Sequence, residues 1–154
     1  MRPVLILAIL MFAFTPTAQA ENPTPYSGTI TIETQKPFGV YVKKLLAAIG
    51  VNKMGVVAHA CADCGAKNIG MTIPGNRVIM IFHPRFAVRM LSASIAAGIE
   101  APVRLYVTEN ADGTARLTYR KPSHIFGAYK VKDLDVMAEE LDVVVAKIIA
   151  ESRD

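Results

Sequence analysis

The chain has 154 residues, 17 Lys+Arg against 13 Asp+Glu, a formal net charge of +4, and 52% apolar residues. That length fits one domain, and the apolar fraction excludes a disordered chain. Two cysteines are too few for a disulfide-dense scaffold, so the fold rests on a hydrophobic core. The basic residues are scattered, without the Lys/Arg block of a nucleic-acid arm, so nucleic acid is not an expected partner.

Met1-Arg2-Pro3 gives a short positive start, and Val4 to Phe14 is an unbroken apolar run of eleven residues. Pro16 breaks the run, and Ala18-Gln19-Ala20 places small residues ahead of Glu21. This is the layout of a cleaved secretory signal over residues 1–20, too short to span a hydrocarbon core of about 30 Å. The mature chain is therefore expected in the periplasm or outside the cell, in an oxidising compartment and free of the membrane. Residues 21–28, with two prolines and no periodicity, read as a linker, and 29–154 as a single domain.

Thr29 to Thr34 alternates with period two and predicts a half-buried strand. Pro37 suits the first turn of a helix in which Phe38, Val42, Leu45, Leu46 and Ile49 form a stripe and Gly50 closes the end. Gly55–Ala60 predicts a short strand, Cys61–Asn68 a helix, and Ile73-Pro74-Gly75-Asn76 a turn. The apolar run Arg77–Phe82 predicts a strand buried on both faces. Pro84 opens a helix through Ala97, with Gly98 as terminator. Val103–Glu109 and Thr114–Arg120 form a hairpin around Asn110-Ala111-Asp112-Gly113. Its inward set is Val103, Leu105 and Val107 with Ala115, Leu117 and Tyr119, leaving Arg104, Tyr106, Thr108, Arg116, Thr118 and Arg120 toward water. A long helix starts at Asp133, with Leu134, Met137, Leu141, Val144, Val145, Ile148 and Ile149 on one stripe. This order predicts an α/β (α+β) fold. It is a two-layer sandwich with a mixed β-sheet of about five strands and helices on one face.

Several stretches together resemble the domain-of-unknown-function family numbered 302. They are the strand–helix opening that ends in Gly50, the strand ending at Ala58-His59, and Ile81-Phe82-His83-Pro84 with Ala87 and Leu91. Gly98 with Ala101-Pro102-Val103-Arg104, then Asp112-Gly113, Tyr119 and Pro122, complete the set. The resemblance covers about residues 29 to 150 and implies a compact α/β sandwich. It brings no established activity. The family usually has Asn where this chain has His83, and many members lack the cysteine pair.

The chemistry concentrates in Val57-Ala58-His59-Ala60-Cys61-Ala62-Asp63-Cys64. Were the strands Gly55–Ala60 and Arg77–Phe82 parallel neighbours, both would end at one sheet edge. His59, His83, Cys61 and Cys64 would then converge where α/β sheets gather ligands. Two thiolates and two imidazoles suit zinc or reduced copper, and Met71, Met80 or Met90 could add a thioether, although Met80 is expected to face the core. Haem is a further candidate cofactor, although the Cys-x-x-Cys-His attachment spacing is absent, because Gly65 follows Cys64. The same pair could instead exchange disulfides, with Cys61 as the more exposed, attacking sulfur and His59 as its proton shuttle. It could also be a plain structural disulfide between Cys61 and Cys64, since an i,i+3 spacing on a helix falls within the permitted Cα separation. His59 could equally cap a strand end, His83 could N-cap its helix, and His124 reads as a surface or packing residue. Arg104, Arg116, Arg120 and Tyr106 form a basic patch for an acidic partner or anion if they are more than ordinary surface. No phosphate-binding Gly loop, G-x-S-x-G elbow or H-E-x-x-H motif is present. The leading expectation is a non-catalytic exported module binding a metal, a haem or a protein partner, a second copy included. The alternative is a thiol–disulfide redox protein using Cys61 and Cys64. A third reading is a scaffold working through its Arg/Tyr sheet face.

Overall fold

Alternation along the first strand turns Ile30, Ile32 and the buried Thr34 to one side and Thr29, Thr31 and Glu33 to the other. That strand, β1 (Thr29–Pro37), opens the computed structural model, which describes residues 26–154. The expected leader, its cleavage after Ala20 and most of the 21–28 linker lie outside the described residues. The chain continues through α1 (Phe38–Val51), β2 (Gly55–Cys61), α2 (Ala62–Asn68), β3 (Asn76–Phe82) and α3 (Pro84–Ala93). After a 3-10 turn at Ala96–Glu100 come β4 (Val103–Glu109), β5 (Thr114–Arg120), α4 (Pro122–Gly127) and α5 (Lys132–Arg153).

The strands form one five-stranded sheet in the order β1-β5-β4-β3-β2, and each neighbouring pair is antiparallel. The expected two-layer α+β sandwich is present, but its sheet is antiparallel rather than mixed, and β2 and β3 are not parallel neighbours. The reason lies in α2. A parallel crossover needs a helix with an apolar stripe that packs on the sheet, and α2 has only seven residues, none of them buried. The chain therefore turns back beside itself. The crossover that does occur is α1, which carries the chain from β1 at one edge to β2 at the other and packs against α5.

One sheet face holds the core. Ile79, Ile81, Leu105, Val107, Ala115 and Leu117 are fully buried there, against Tyr41, Leu45 and Ile49 of α1 and Leu134, Met137, Val145 and Ile148 of α5. Burying side chains of this size stabilises by roughly 1.5–3 kcal/mol each. The few polar groups inside are satisfied locally. Thr34 Oγ1 donates to the Ala115 carbonyl at 2.6 Å, and Ser152 Oγ donates to the Ile149 carbonyl at 2.8 Å beside the Tyr41 hydroxyl. Burial pushes the Tyr41 phenol up from its ordinary pKa.

Among the described residues no helix covers the other face, which corrects the expectation that β3 is covered on both sides. Ile79 and Ile81 point into the core, while Val78 and Met80 pair with Tyr106 and Arg104 on the uncovered face. Met80 thus does not face the core as expected. Two glycines sit where a side chain would collide. A Cβ on Gly75 would lie 2.3 Å from the Phe38 ring, and one on Gly28, whose φ is +74°, would lie 2.1 Å from the His124 ring. Gly28 meets both demands that favour glycine, a left-handed backbone and close approach.

Candidate functional site

At the sheet edge, β2 has a neighbour on one side only among the described residues, and Gly55 to Ala60 are exposed. Cys61 ends the strand in extended geometry and caps α2, its sulfur accepting the Cys64 N–H at 3.0 Å. The first helical turn brings the Cα atoms of Cys61 and Cys64 to 5.3 Å, and the two sulfurs are bonded as a disulfide. Cys61 is half-buried and Cys64 exposed. This reverses the expectation that Cys61 is the more accessible sulfur. The cap explains it, because folding Cys61 Sγ over the first turn to reach the Cys64 N–H turns it inward.

Asp63 pins this turn to the sheet. Its Oδ1 accepts the Asn76 N–H at 3.0 Å and forms an ion pair with Arg77, which stands opposite Cys61 across the β2–β3 ladder. The Arg77 guanidinium also lies 5.4 Å from the centre of the Phe38 ring. The two side chains are only 16% and 23% exposed, so solvent screens the pair incompletely. Asp63 Oδ1 lies 3.6 Å from Cys61 Sγ. A thiolate on Cys61 would therefore be favoured by the Cys64 N–H and opposed by the Asp63 carboxylate, with Arg77 offsetting part of that opposition.

The structure brings Cys61, Asp63 and Cys64 together, their donor atoms lying within 4.8 Å of one another. Neither imidazole joins this set. His59 lies two residues before Cys61 on the same side of the strand, yet its ring nitrogens are not among the clustered donor atoms. His83 follows Phe82, which pairs with Gly55 at the far end of β2. At about 3.3 Å per residue, that places it roughly 20 Å from Cys61. The four-donor rim expected from parallel strands is thereby corrected. His83 serves as the N-cap of α3, its Nδ1 accepting the Arg85 N–H at 3.1 Å. Met90 is buried and Met71 exposed. His124 is exposed, with one side of its ring against Gly28. Asp63 and Arg77 are not among the candidates the sequence singles out. An acid in the first turn of the Cys-x-x-Cys helix could have pointed to Asp63, whereas Arg77 acquires its role only from the antiparallel register.

Residues 30–152 match the family described as "Domain of unknown function DUF302". The crystal structure of an uncharacterized conserved DUF302 protein from Bacillus stearothermophilus aligns with a TM-score of 0.72 at 16% identity. The alignment covers 82% of this chain and 98% of that one, a likeness of fold. Among curated proteins, the fluoride-specific ion channel FluC 1 of Brucella suis biovar 1 (strain 1330) is 23% identical over 97 residues. FluC 1 of Brucella abortus biovar 1 (strain 9-941) matches at the same identity and length. The match covers 63% of this chain and 38% and 36% of those chains, so the chain spans under two-fifths of the length of these relatives. Among the described residues, no helix is long and apolar enough to cross a membrane.

Proposed function

The chain belongs to the DUF302 family, and from that premise we propose that it is an exported thiol–disulfide exchange module whose working group is the Cys61–Cys64 disulfide. The observation that carries this reading is the asymmetry of the bond. Cys64 is exposed on a turn that buries no side chain, while the Cys61 sulfur is held by a backbone N–H. An incoming thiolate attacks Cys64 Sγ, the S–S bond breaks, and its electron pair departs on Cys61 as a thiolate that the Cys64 N–H stabilises. A second thiolate on the partner then attacks the partner's own sulfur in the mixed disulfide. The partner's disulfide forms, and Cys64 leaves as a thiolate that takes up a proton. The partner loses two electrons, and this chain gains them as a Cys61 thiolate and a Cys64 thiol.

A structural role for the bond has less support. The loop it closes is so short that chain entropy contributes only about 2 kcal/mol, and α2 has no buried residue for it to hold. The positive start, apolar run and Ala18-Gln19-Ala20 of residues 1–20 support delivery to an oxidising compartment, where such a pair rests as a disulfide. Metal binding ranks below exchange. The imidazoles of His59 and His83 do not join the sulfurs, and Asp63 is already engaged by Arg77 and Asn76.

The test is regiochemistry. Oxidised protein is mixed with excess reduced glutathione, quenched with acid, alkylated and mapped by mass spectrometry. The mechanism gives glutathione on Cys64 and the alkylating label on Cys61. Adducts on Cys61, or none before the protein is denatured, would remove the proposal.

A further inference from the structure

The uncovered sheet face carries a second feature, unrelated to the disulfide. One row of side chains crosses all five strands. Thr29 pairs with Arg120, Arg104 with Met80, and Met80 with Ala58. The register that sets Leu105 opposite Tyr119 puts Arg104, one residue earlier, opposite Arg120, one residue later. Two arginines thus stand opposite one another on adjacent strands, and like charges so placed destabilise a sheet unless something neutralises them.

Three of the other described arginines are neutralised, while Arg85 and Arg153, which have no neighbouring arginine across a strand, are not. Arg116, on the same face, donates to Glu33 at 2.6 Å, Arg89 forms a forked pair with Glu140, and Arg77 pairs with Asp63. Among the described residues, no carboxylate lies within ion-pairing distance of Arg104 or Arg120. What surrounds them is suited to a ligand. Tyr26, Thr29, Arg104, Tyr106, Thr118 and Arg120 line one open depression. The Arg120 guanidinium lies 5.4 Å from the centre of the Tyr26 ring, which helps fix its direction. Asn76 Nδ2 donates to the Tyr106 hydroxyl oxygen at 2.6 Å, which leaves the phenolic proton free to donate.

We propose that this depression is an anion site for a small soluble phosphate monoester, held between the Arg104 and Arg120 guanidinium groups. Two adjacent positive charges call for a doubly charged partner. A tetrahedral phosphate presents oxygens to two guanidinium forks at once, whereas one fork already fills the plane of a carboxylate. Tyr106, Thr29 and Thr118 supply the neutral donors around the rim.

The test titrates the full-length protein at constant ionic strength with inorganic phosphate, phenyl phosphate or acetate, and in a separate arm with phosphatidic acid vesicles. Amide chemical shifts and the melting temperature are followed. The site predicts saturable shifts at residues 104–106 and 118–120 with either soluble phosphate, and weaker binding of acetate. Arg104→Gln and Arg120→Gln should each weaken phosphate binding by about tenfold or more, while raising the melting temperature of the ligand-free protein by removing the repulsion. Arg116→Gln, whose partner is Glu33, should leave binding unchanged. The proposal is overturned by shifts that do not saturate, by equal losses from all three substitutions, by acetate binding as tightly as phosphate, or by binding to vesicles alone.

Discussion

Removing both sulfurs with Cys61→Ser and Cys64→Ser separates a working disulfide from a structural one by magnitude. The bond closes a loop of sequence separation 3, for which the chain-entropy relation gives about 2 kcal/mol. Little else is lost. Helix α2 has no buried residue, a serine at position 61 can still accept the Cys64 N–H, and the Asp63–Arg77 pair is untouched. For a domain of this size, that corresponds to a fall in melting temperature of roughly 6–8 °C. Thermal unfolding followed by far-ultraviolet circular dichroism would compare the oxidised protein, the protein held reduced by a phosphine, and the double variant. The last two should coincide and keep the near-ultraviolet signature of a packed core. A loss beyond about 4 kcal/mol, or collapse of the near-ultraviolet signal on reduction, would make the bond a staple of the fold and refute this reasoning.

Asp63→Asn should cost about 1–2 kcal/mol by urea denaturation, because it leaves a largely shielded Arg77 without its counter-charge; no cost would mean that the pair does not secure the turn. Gly75→Ala drives a Cβ into the Phe38 ring and should cost about 1–3 kcal/mol, with part recovered by adding Phe38→Leu; equal costs in both backgrounds would refute the contact. Several carboxyls are held below their ordinary range: Glu33 by its Asn110 hydrogen bond and then by Arg116, Asp112 by the Thr114 hydroxyl, and Glu140 by Arg89. Unfolding raises each of these pKa values, so the unfolded chain binds more protons as the solution is acidified. Stability should therefore be level above roughly pH 5 and fall as the pH drops below the ordinary carboxyl range. Glu33→Gln combined with Glu140→Gln should flatten that acid limb, and melting temperatures that stay level down to about pH 3 in the unmodified protein would contradict it.

Legibility followed the range of the interactions. The β4–β5 hairpin runs over the expected residues, because Asn110 to Gly113 is a local turn signal and the flanking alternation is strict. Helices α1 and α5 were readable from stripes such as Leu45–Ile49 and Leu141–Val145–Ile148, whose spacing is a property of one segment. Strand pairing was not readable in this way. Whether β2 runs with or against β3 depends on what α2 can pack on, and Ala62, Gly65 and Ala66 offer no apolar stripe, a clue that the Cys-x-x-Cys spacing overshadowed. The run Val78 to Phe82 suggested burial on both faces, because an apolar sequence does not reveal how many layers cover it. The sequence does not signal the short α4, since its six residues hold too few apolar positions to show a period. At the candidate site, the closeness of Cys61 and Cys64 followed from their spacing alone. The inward turn of Cys61 and its neighbours Asp63 and Arg77 needed the antiparallel register.

The reduction potential of the Cys61–Cys64 pair tests the proposed activity most directly. Equilibration of the protein in glutathione buffers of graded composition, with the dithiol fraction read by alkylation and mass, should give a value above about −270 mV, in the range of exchange-active disulfides. A value below about −300 mV, where structural disulfides of secreted proteins lie, would contradict it.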